Sequence, residues 1–357
     1  MLTDHCYAVI MAGGAGSRLW PLSRKHEPKH LLKLFDGKCL IDLTIDRLKG
    51  HVSDDHIVVL TNVNHKELTQ QVLTRIPPEN FIFEPCVRDT ASAIGLAATV
   101  LKQRCEDPTM IMLTADQIIE PAEAFGEAIE NAADFLDTHP EMLIAFGVEA
   151  SCPNTAVGWQ KLGEALDFPD CEVRRIDKFI EKPELARAQR YMEEGGYCWN
   201  SGQFAWKASA ILQEIAAHLP EAAAILEQIR AAWTTASRDE VLRNLFPKMP
   251  KGSIDYKIMQ KTSNACSIFL PCSWEDMGTH AAMAERIGTK QRGNIVCGKA
   301  MVTGTGNMVF AQTDQAVVVA RDDLVVVVTD NTVFVGDTGT DMKALVENIS
   351  RQAPELL

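Results

Sequence analysis

Short apolar runs alternate with longer amphipathic stretches over the first 150 residues. YAVIMA (7–12), HIVVLT (56–61), MIMLTA (110–115) and LIAFGV (143–148) are each typical of a buried strand, and helical patterns follow several of them. Strands and helices that alternate at this spacing predict βαβ units, and therefore a mainly parallel sheet with helices on both faces. Ligands of such sheets bind at the carboxyl ends of the strands, where the loops gather.

The pattern is looser between residue 150 and about residue 290. VRRIDKFIEKP (173–183) predicts a strand that leaves the sheet. Helical periodicity then predicts helices from Lys207 to His218, from Pro220 to Trp233 and from Asp239 to Phe246. We therefore assign residues 1–290 to one α/β domain.

The segment after about Gly293 has a different composition. Short runs such as NMVFAQ and LVVVVTD follow one another without helices between them, which predicts a separate all-β unit. Either a small sandwich or turns of a β-helix fits this pattern, because no strict repeat is visible. With a last helix near 341–350, residues 291–357 form the second predicted domain.

The charge balance limits the classes of partner. The 357 residues include 35 Lys and Arg against 48 Asp and Glu, a formal net charge of −13, which disfavours nucleic acid and anionic membranes. Ten scattered cysteines without metal-site spacing, and an N-terminus unlike a signal peptide, predict a cytoplasmic protein. An anionic ligand would then need local positive charge. Residues 11–33, MAGGAGSRLWPLSRKHEPKHLLK, supply it with five Lys or Arg and one acidic residue.

The glycines of this segment follow the first predicted strand. Gly13, Gly14 and Gly16 suit a loop whose backbone N–H groups approach phosphate oxygens. A dinucleotide-binding loop requires a third glycine where this chain has Leu19, and the P-loop pattern does not occur. A nucleotidyltransferase loop, with glycines followed by Arg and later by Lys, is the alternative that also explains the basic residues.

GGAGSRLWPLSRKHEPKHLL resembles the signature of the sugar-nucleotide pyrophosphorylases, and within them the mannose-1-phosphate guanylyltransferase pattern GG-x-G-x-R-L-W-P-L-S-R-x-x-x-P-K-Q. Trp20 and the pair Ser23–Arg24 distinguish that branch, whereas His30 replaces its usual Gln. Further family-like segments follow in the same order, so the resemblance covers nearly the whole chain: EPCVRDTASAI, LTADQ, FIEKP, WNSGQFAW, SIDYKIM and WEDMGTHAAM. Three residues depart from the family pattern in these segments: Asp89, Gln117 and His280.

The resemblance implies a fold and a reaction. The fold would be a Rossmann-like, GT-A-like nucleotidyltransferase domain with a small C-terminal left-handed β-helix-like domain. The reaction would be GTP and mannose 1-phosphate giving GDP-mannose and pyrophosphate, with Mg²⁺ as cofactor and in-line attack at the α-phosphorus. A homodimer is implied, without nucleic acid or membrane partners.

The resemblance also implies site residues. Nucleotide binding falls to Ala12, Gly13, Gly14, Gly16, Ser17, Arg18, Pro85, Arg88, Asp89 and Thr90. Sugar-phosphate binding falls to Gly158, Glu181, Lys182 and Asn200, metal binding to Asp116 and Asp276, and catalysis to Arg18, Lys29 and Lys182. A carboxylate after a central strand suits Mg²⁺, which prefers carboxylate and phosphate oxygens.

Purely structural roles stay open for some of these residues. Asp89 could cap a helix over 90–104, Asp116 could cap the helix that follows it, and Asp255 is expected to position or cap its own helix. Two other functions also stay open. One is transfer to a different sugar 1-phosphate, such as glucose 1-phosphate, or from a different nucleotide, and the other is a non-catalytic regulatory subunit that binds nucleotide sugars.

Overall fold

The computed structural model describes residues 2–14 and 16–357, and the chain divides into two compact units. The first unit consists of the residues up to Gly13 together with Ile45–Thr114 and Ile119–Trp274. The second consists of Gly14–Thr44, Ala115–Ile118 and Glu275–Leu357. The predicted division of the chain into domains at 290/291 stays a prediction.

The strands of the described residues are, in chain order, β1 (Cys6–Ala12), β2 (Ile57–Asn62), β3 (Phe81–Glu84), β4 (Thr109–Thr114), β5 (Gln117–Glu120), β6 (Leu143–Val148), β7 (Gly158–Leu166), β8 (Val173–Glu181), β9 (Tyr197–Lys207), β10 (Ala265–Phe269), β11 (Ser273–Asp276), β12 (Thr289–Gln291), β13 (Asn294–Gly298), β14 (Ala300–Val302), β15 (Met308–Ala311), β16 (Val317–Val319), β17 (Val325–Val328) and β18 (Val333–Gly336). The apolar runs that predicted β1, β2, β4 and β6 are confirmed to within one residue at each end.

The α-helices are α1 (Leu40–Asp46), α2 (Lys66–Val72), α3 (Asp89–Leu101), α4 (Ala122–Thr138), α5 (Leu185–Glu194), α6 (Ala208–His218), α7 (Pro220–Ala232), α8 (Arg238–Leu245), α9 (His280–Ile287) and α10 (Met342–Gln352). Short 3₁₀ turns cover Ser17–Leu19 and Lys29–Leu31, and a π-helix covers Asp255–Met259. The three helices predicted between 207 and 246 are confirmed as α6, α7 and α8.

The first unit contains a nine-stranded sheet in the order β3-β2-β1-β4-β9-β6-β10-β8-β7. The four strands from β3 to β4 are parallel, as their βαβ spacing predicts. β1 lies inside this group because its seven residues are apolar on both faces. Its carboxyl end, at Ala12, therefore opens among those of β2 and β4.

The remainder of the sheet is mixed, which corrects the expectation of a mainly parallel sheet. β9 runs antiparallel to both β4 and β6, and β8 runs antiparallel to β10 and β7. The expectation that residues 173–183 leave the sheet is wrong. β8 lies inside the sheet because it pairs with β10 on one side and with β7 on the other. Its register with β7 runs from Gly158 opposite Glu181 to Leu166 opposite Val173.

One core cluster of the first unit lies between this sheet and the helices α3, α6 and α7. α4 packs on β4, β9 and β10 and buries Phe125, Ile129 and Phe135 completely. All residues of α3 from Ala91 to Leu101 are buried, which small residues make possible. At Gly95, a Cβ would lie 2.8 Å from a Leu226 methyl carbon, so a larger residue there would push α7 away.

The C-terminal part of the second unit has β-helix-like stacking. β13, β15 and β17 pair in parallel, and β14 pairs in parallel with β16 on a second face. The successive turns differ in length, since Ile295 aligns with Met308 and Met308 with Val325. This irregularity explains why no strict repeat is visible in the sequence.

A buried asparagine pair stabilises the corner of these coils. Asn307 donates from Nδ2 to Oδ1 of Asn294 at 2.9 Å and to the Arg321 carbonyl at 2.7 Å. Its own Oδ1 accepts from the Leu324 backbone N–H. The side chains thereby satisfy backbone groups that the short strands leave unpaired.

The state of the cysteines and the length of the apolar helices bear on what the composition led us to expect. All ten cysteines are free thiols. Among the described residues, no helix is long and apolar enough to cross a bilayer.

Candidate active site

The glycine loop begins where β1 ends and continues into the second unit. Gly16 has a φ of +64°, and a Cβ there would lie 2.9 Å from Ser23 Oγ and 3.0 Å from Lys29 Cβ. Both the left-handed conformation and the close approach require glycine at this position. The Ser23 hydroxyl donates to the Gly16 carbonyl, which fastens the loop to the segment that carries Lys29. Ala15, within the predicted loop, lies outside the described residues.

Lys29 is the central cation of the second unit. It begins a 3₁₀ turn directly after Pro28 and is only 6% exposed. Its Nζ lies 2.6 Å from Oδ2 of Asp116 and 3.9 Å from Oδ1 of Asp276. Two carboxylates from distant parts of the chain therefore face one buried ammonium group.

Arg18 completes this group, which we call the Lys29 cluster: Arg18, Lys29, Asp116 and Asp276. The Arg18 Nη2 lies 3.9 Å from Oδ2 of Asp276, and its side chain is 53% exposed. Sequence analysis missed Gly278, on which this approach depends. A Cβ at Gly278 would lie 2.8 Å from Arg18 Nη2 and 3.0 Å from both Asp276 oxygens. The sequence signal for this residue is a glycine two positions after Asp276. A small side chain is needed at Gly278 because Arg18 approaches it.

The cluster keeps Asp116 ionised. Burial acts to raise the pKa of this carboxyl, but the charge and hydrogen bond of Lys29 outweigh it. His30 and Arg18 act in the same direction, so the pKa of Asp116 lies below its ordinary value. His30, which stands where the family pattern has Gln, is therefore buried close enough to Asp116 to act on its carboxyl electrostatically.

Not all of the basic residues after Gly16 are available to a ligand. Arg24 donates to Asn331 Oδ1 at 2.9 Å and to the Leu356 carbonyl at 3.1 Å. Trp20 donates from Nε1 to the same Leu356 carbonyl at 3.0 Å and packs edge-on against Phe334. The expectation that the whole basic stretch serves the ligand is thus wrong for Arg24, which binds the C-terminal segment instead.

His280 also belongs to this packing. Its ring is 6% exposed and stacks on Phe334, with centroids 6.0 Å apart. Burial lowers the pKa of His280 to about 4, although hydrogen bonds to the backbone at Leu19 and Trp20 oppose this shift. The neutral ring stands where the family pattern has Trp, and it contacts the backbone at the end of the turn that includes Arg18.

A second group of predicted residues converges in the first unit. Gly158 at the start of β7 lies opposite Glu181 at the end of β8, and a Cβ there would lie 2.8 Å from Glu181 Oε2. Lys182, with a φ of +48°, donates to Glu181. Asn200 on β9 donates to Asp255 Oδ1 at 3.3 Å. These five residues form what we call the Glu181 cluster.

The electrostatics of the Glu181 cluster are unusual at Asp255. Burial and, after it, the neighbouring charge of Glu181 raise the pKa of Asp255 to about 6, although Lys182 opposes this shift. For Lys182, burial acts to lower the pKa, but Glu181 and Asp255 outweigh it and raise the pKa above its ordinary value. Asp255 is the first residue of the π-helix, whose N-cap residue is Ile254, so it does not occupy the cap position expected for it, and its Oδ1 instead accepts from Asn200. Gln160, which donates to Asn200 Oδ1 at 3.3 Å, was missed because its role depends on cross-strand pairing.

The third predicted segment, 84–90, is also in the first unit. Arg88 donates to the Pro247 carbonyl, and the Thr90 hydroxyl accepts from the Ile254 N–H at 2.8 Å. Asp89 is the first residue of α3, with a φ of +59°, while Arg88 is the N-cap residue. The helix expected over 90–104 therefore covers Asp89–Leu101, and Asp89 does not occupy its cap position.

Glu84, at the end of β3, is a further residue that sequence analysis missed. It is 7% exposed, and its Oε2 would lie 3.5 Å from a Cβ at Gly13. Burial raises the pKa of Glu84 to about 8, with a smaller contribution from the charge of Asp89. The signal available in the sequence was its place at a strand end directly before Pro85.

The remaining predicted residues lie at or just after the ends of β1 and β3. Ala12 is buried at the end of β1, Gly14 and Ser17 are exposed, and Pro85 is half-buried after β3. The Lys29 cluster thus lies in the second unit, the Glu181 cluster and residues 84–90 lie in the first, and the glycine loop has residues in both.

Comparisons with known proteins identify the family of the chain. The model of the nucleotidyl transferase family matches residues 7–291. A mannose-1-phosphate guanylyltransferase of Klebsiella pneumoniae is 35% identical over 349 residues, which are 95% of this chain and 73% of that protein. The alginate biosynthesis protein AlgA of Pseudomonas aeruginosa is 33% identical over 353 residues, 96% of this chain and 72% of that protein.

A solved structure is similar over nearly its whole length. It is described as a mannose-1-phosphate geranyltransferase from Thermus thermophilus, and it superposes with a TM-score of 0.82 at 28% identity. The match covers 98% of this chain and 99% of that one. The resemblance stated from the motifs is therefore confirmed at the level of the family. This chain belongs to the nucleotidyl transferase family and is an enzyme of that type.

Proposed function

We propose that this enzyme transfers the GMP group of GTP to α-D-mannose 1-phosphate, which yields GDP-mannose and pyrophosphate. Relatives at 33–35% identity are named mannose-1-phosphate guanylyltransferase or alginate biosynthesis protein. The observation that carries the proposal is the Lys29 cluster, in which a buried ammonium group faces Asp116 and Asp276 beside a glycine loop. Such a cluster suits the binding of a triphosphate.

The reaction needs charge stabilisation more than proton transfer. The sugar phosphate oxygen is already an anion, so it attacks the α-phosphorus of GTP without a general base, and the bond to the β-phosphate oxygen breaks. The difficulty lies in holding two anions together and in stabilising charge at the α-phosphoryl group. Fixed cations that need no rearrangement at the moment of reaction address both.

Each cation has a proposed partner. Lys29 would hold the α-phosphate, for which its buried ammonium is already oriented. Arg18, whose side chain is half-exposed, would bind the β- and γ-phosphates with the backbone N–H groups from Gly13 to Ser17. Pro85, Arg88, Asp89 and Thr90 would form the surroundings of the base and ribose.

The sugar phosphate would bind at the Glu181 cluster. Lys182 would hold its phosphate as a point charge, and Glu181 and Asn200 would bind hydroxyl groups of the ring. Gly158 leaves room there, since a Cβ at that position would approach Glu181 Oε2 at 2.8 Å. Asp255 would fix the amide of Asn200 in one orientation.

Asp116 and Asp276 fit a Mg²⁺ ion by the chemistry of their donor atoms. Mg²⁺ is commonly bound by one or two carboxylates with the substrate phosphates and water completing its shell. Among residues 2–14 and 16–357, no group of three or more His, Cys, Asp or Glu side chains is placed to hold a metal ion. In the proposed complex, the substrate phosphates and water would supply the other ligands. The low pKa of Asp116 keeps one donor ionised. When bound, Mg²⁺ supplies positive charge to the phosphate oxygens.

We also propose a homodimer in the cytoplasm and a domain boundary near residue 290. The apolar side chains of Met301 and Val318, neighbours on β14 and β16, are 62% and 64% exposed, which suits a surface covered by a second copy. Sedimentation of the wild type and of Val318→Glu tests the proposed dimer. A dimer that becomes a monomer in the variant supports the proposal, and a wild-type monomer contradicts it.

The decisive experiment is pyrophosphate release over a grid of four NTPs and several sugar 1-phosphates, with Mg²⁺ or with EDTA. We expect the highest rate with GTP and mannose 1-phosphate, and loss of activity in EDTA. A preference for UTP or dTTP, or for glucose 1-phosphate, would refute the guanylyl or mannosyl assignment. No turnover in any well would favour the regulatory subunit.

A further inference from the structure

A cleft of about 760 Å³ lies in the first unit beside β3, the edge strand of the nine-stranded sheet. It is lined by residues of α2, of β3 and the turn before it, and of α8, together with Arg104 and with Trp233 just after α7. Among residues 2–14 and 16–357, no member of the Lys29 cluster or the Glu181 cluster lines it. Its only overlap with the predicted nucleotide site is Pro85 at one end.

The cleft concentrates positive charge in a protein whose net charge is −13. Lys66, Arg104, Arg238 and Arg243 line it, against the carboxylates of Glu79 and Asp239. Arg104 is held by the backbone carbonyl of Glu79 and by Asn80 Oδ1, the latter at 2.6 Å, so it serves the fold. Three cations, Lys66, Arg238 and Arg243, remain beside the carboxylates of Glu79 and Asp239.

These three cations act on the same point of the cleft. The pKa of Asp239 is lowered first by a hydrogen bond from Arg238, then by the charges of Arg238, Arg243 and Lys66. Arg238 Nε lies 2.8 Å from Asp239 Oδ1. Within the described part of the chain, Lys66 and Arg243 form no ion pair. Two cations are therefore left without a close counter-charge beside a third.

The floor of the cleft is aromatic. The rings of Phe81 and Phe83 lie parallel, with centroids 6.0 Å apart and an interplanar angle of 3°. Lys66 Nζ lies 5.3 Å from the centroid of Phe83, and the Arg238 guanidinium lies 5.6 Å from that of Trp233. Each of these two rings therefore has a cation over it at a distance typical of cation–π contact.

We propose that this cleft is a second ligand site, separate from the catalytic clusters, that binds a nucleoside phosphate. Its phosphates would contact Lys66, Arg238 and Arg243, and its base would pack against Phe83 and Trp233. Inorganic phosphate alone would leave most of the volume and all of the aromatic floor unused, whereas a cleft of this size suits a nucleotide-sized ligand. The proposal goes beyond the proposed reaction and does not depend on it.

The test counts the GDP molecules bound per chain by equilibrium dialysis of the full-length protein. The variant is Lys66→Ala/Arg243→Ala, which removes the two unpaired cations. The control is Lys49→Ala/Arg230→Ala, an exposed pair in the same unit that removes the same charge but does not line the cleft. We expect the variant to bind one GDP fewer per chain, or to bind it at least about tenfold more weakly, and the control to match the wild type.

A second measurement locates the site without substitutions. Hydrogen exchange of the wild type with saturating GDP should show protection in peptides covering 63–70 and 238–243. Equal GDP binding in variant and wild type, equal loss in the control, or no protection there would overturn the proposal. Inorganic phosphate that binds the cleft as tightly as GDP would overturn the nucleoside part of it. The grid of pyrophosphate release, measured on the same variant, reports separately on the proposed reaction.

Discussion

The Nζ of Lys29 lies 2.6 Å from Oδ2 of Asp116, and Lys29 is 6% exposed. The ion pair is thus mostly shielded from water on the side of the lysine, where a charge without a partner would be costly. The charge and hydrogen bond of Lys29 outweigh burial and hold the pKa of Asp116 below its ordinary value. In the proposed reaction, the α-phosphate would meet a cation at this point that is already in place, an arrangement that lowers the barrier to phosphoryl-type transfer.

Lys29→Ala should lower kcat by on the order of a thousandfold or more, as loss of a phosphoryl-contacting cation does in related transfers. Pyrophosphate release measures the rate, and circular dichroism should show an intact fold. The matched control is Lys33→Ala, which removes an exposed lysine from the same segment and should retain full activity. Near-normal turnover in Lys29→Ala would remove Lys29 from the catalytic residues.

Gly278→Ala should disturb the Lys29 cluster without disturbing the fold. The new Cβ would approach Arg18 Nη2 at 2.8 Å and both Asp276 oxygens at 3.0 Å, so those side chains must move. We expect kcat/KM for GTP to fall by about tenfold to a hundredfold, because displacements of about 1 Å at a reacting site have such effects. Kinetics at varied GTP concentration measure it.

Gly339→Ala is the control for that substitution, since a Cβ there meets only Asp337 Oδ1, at 3.4 Å. It lies in the same unit and should leave both the kinetics and the melting temperature unchanged. Equal kcat/KM in Gly278→Ala and the wild type would show that the approach of Arg18 to Asp276 is dispensable.

Local patterns predicted the elements of this fold better than their pairing. The apolar run of β6 coincides with the strand, but the position of β8 in the sheet depends on partners that are distant in sequence. The same holds for the site. The resemblance of the motifs pointed to Lys29, Asp116 and Asp276, which lie together in the structure. The need for Gly278 arises only once Arg18 approaches it, and the raised pKa of Glu84 depends on burial that no local pattern reports.

Glu84 should make stability depend on pH. Burial raises its pKa in the folded chain to about 8, above the ordinary value of 4.5, so the folded chain holds the proton more tightly than the unfolded chain. The free energy of unfolding should therefore fall as pH rises from about 4.5 to about 8. The contribution is on the order of a few kcal/mol, since one pKa unit corresponds to about 1.4 kcal/mol.

Glu84→Gln should lose this part of the pH dependence, because the amide resembles the protonated carboxyl. Urea unfolding at pH 5, 7 and 9 should show the variant gaining stability relative to the wild type as pH rises. Glu141→Gln, at an exposed position, serves as the control and should follow the wild type. Parallel curves for Glu84→Gln and the wild type would show that Glu84 is ionised in the folded protein at neutral pH.

Trp20→Phe should destabilise the second unit without changing the choice of nucleotide. Trp20 is 6% exposed, packs on Phe334 and donates to the Leu356 carbonyl at 3.0 Å, so its loss removes one hydrogen bond and some buried surface. We expect a loss of about 1–3 kcal/mol in the free energy of unfolding and an unchanged preference for GTP over UTP.

A double-mutant cycle with Arg24→Ala tests the cause of that destabilisation. Arg24 donates to the same Leu356 carbonyl at 3.1 Å, so the two losses should not be additive. Coupling of about 0.5 kcal/mol or more in urea unfolding would establish the shared anchor, while strict additivity would contradict it. If Trp20→Phe instead lowered the preference for GTP over UTP by more than about tenfold, a change worth about 1.4 kcal/mol, then Trp20 would act on the nucleotide and not through Leu356.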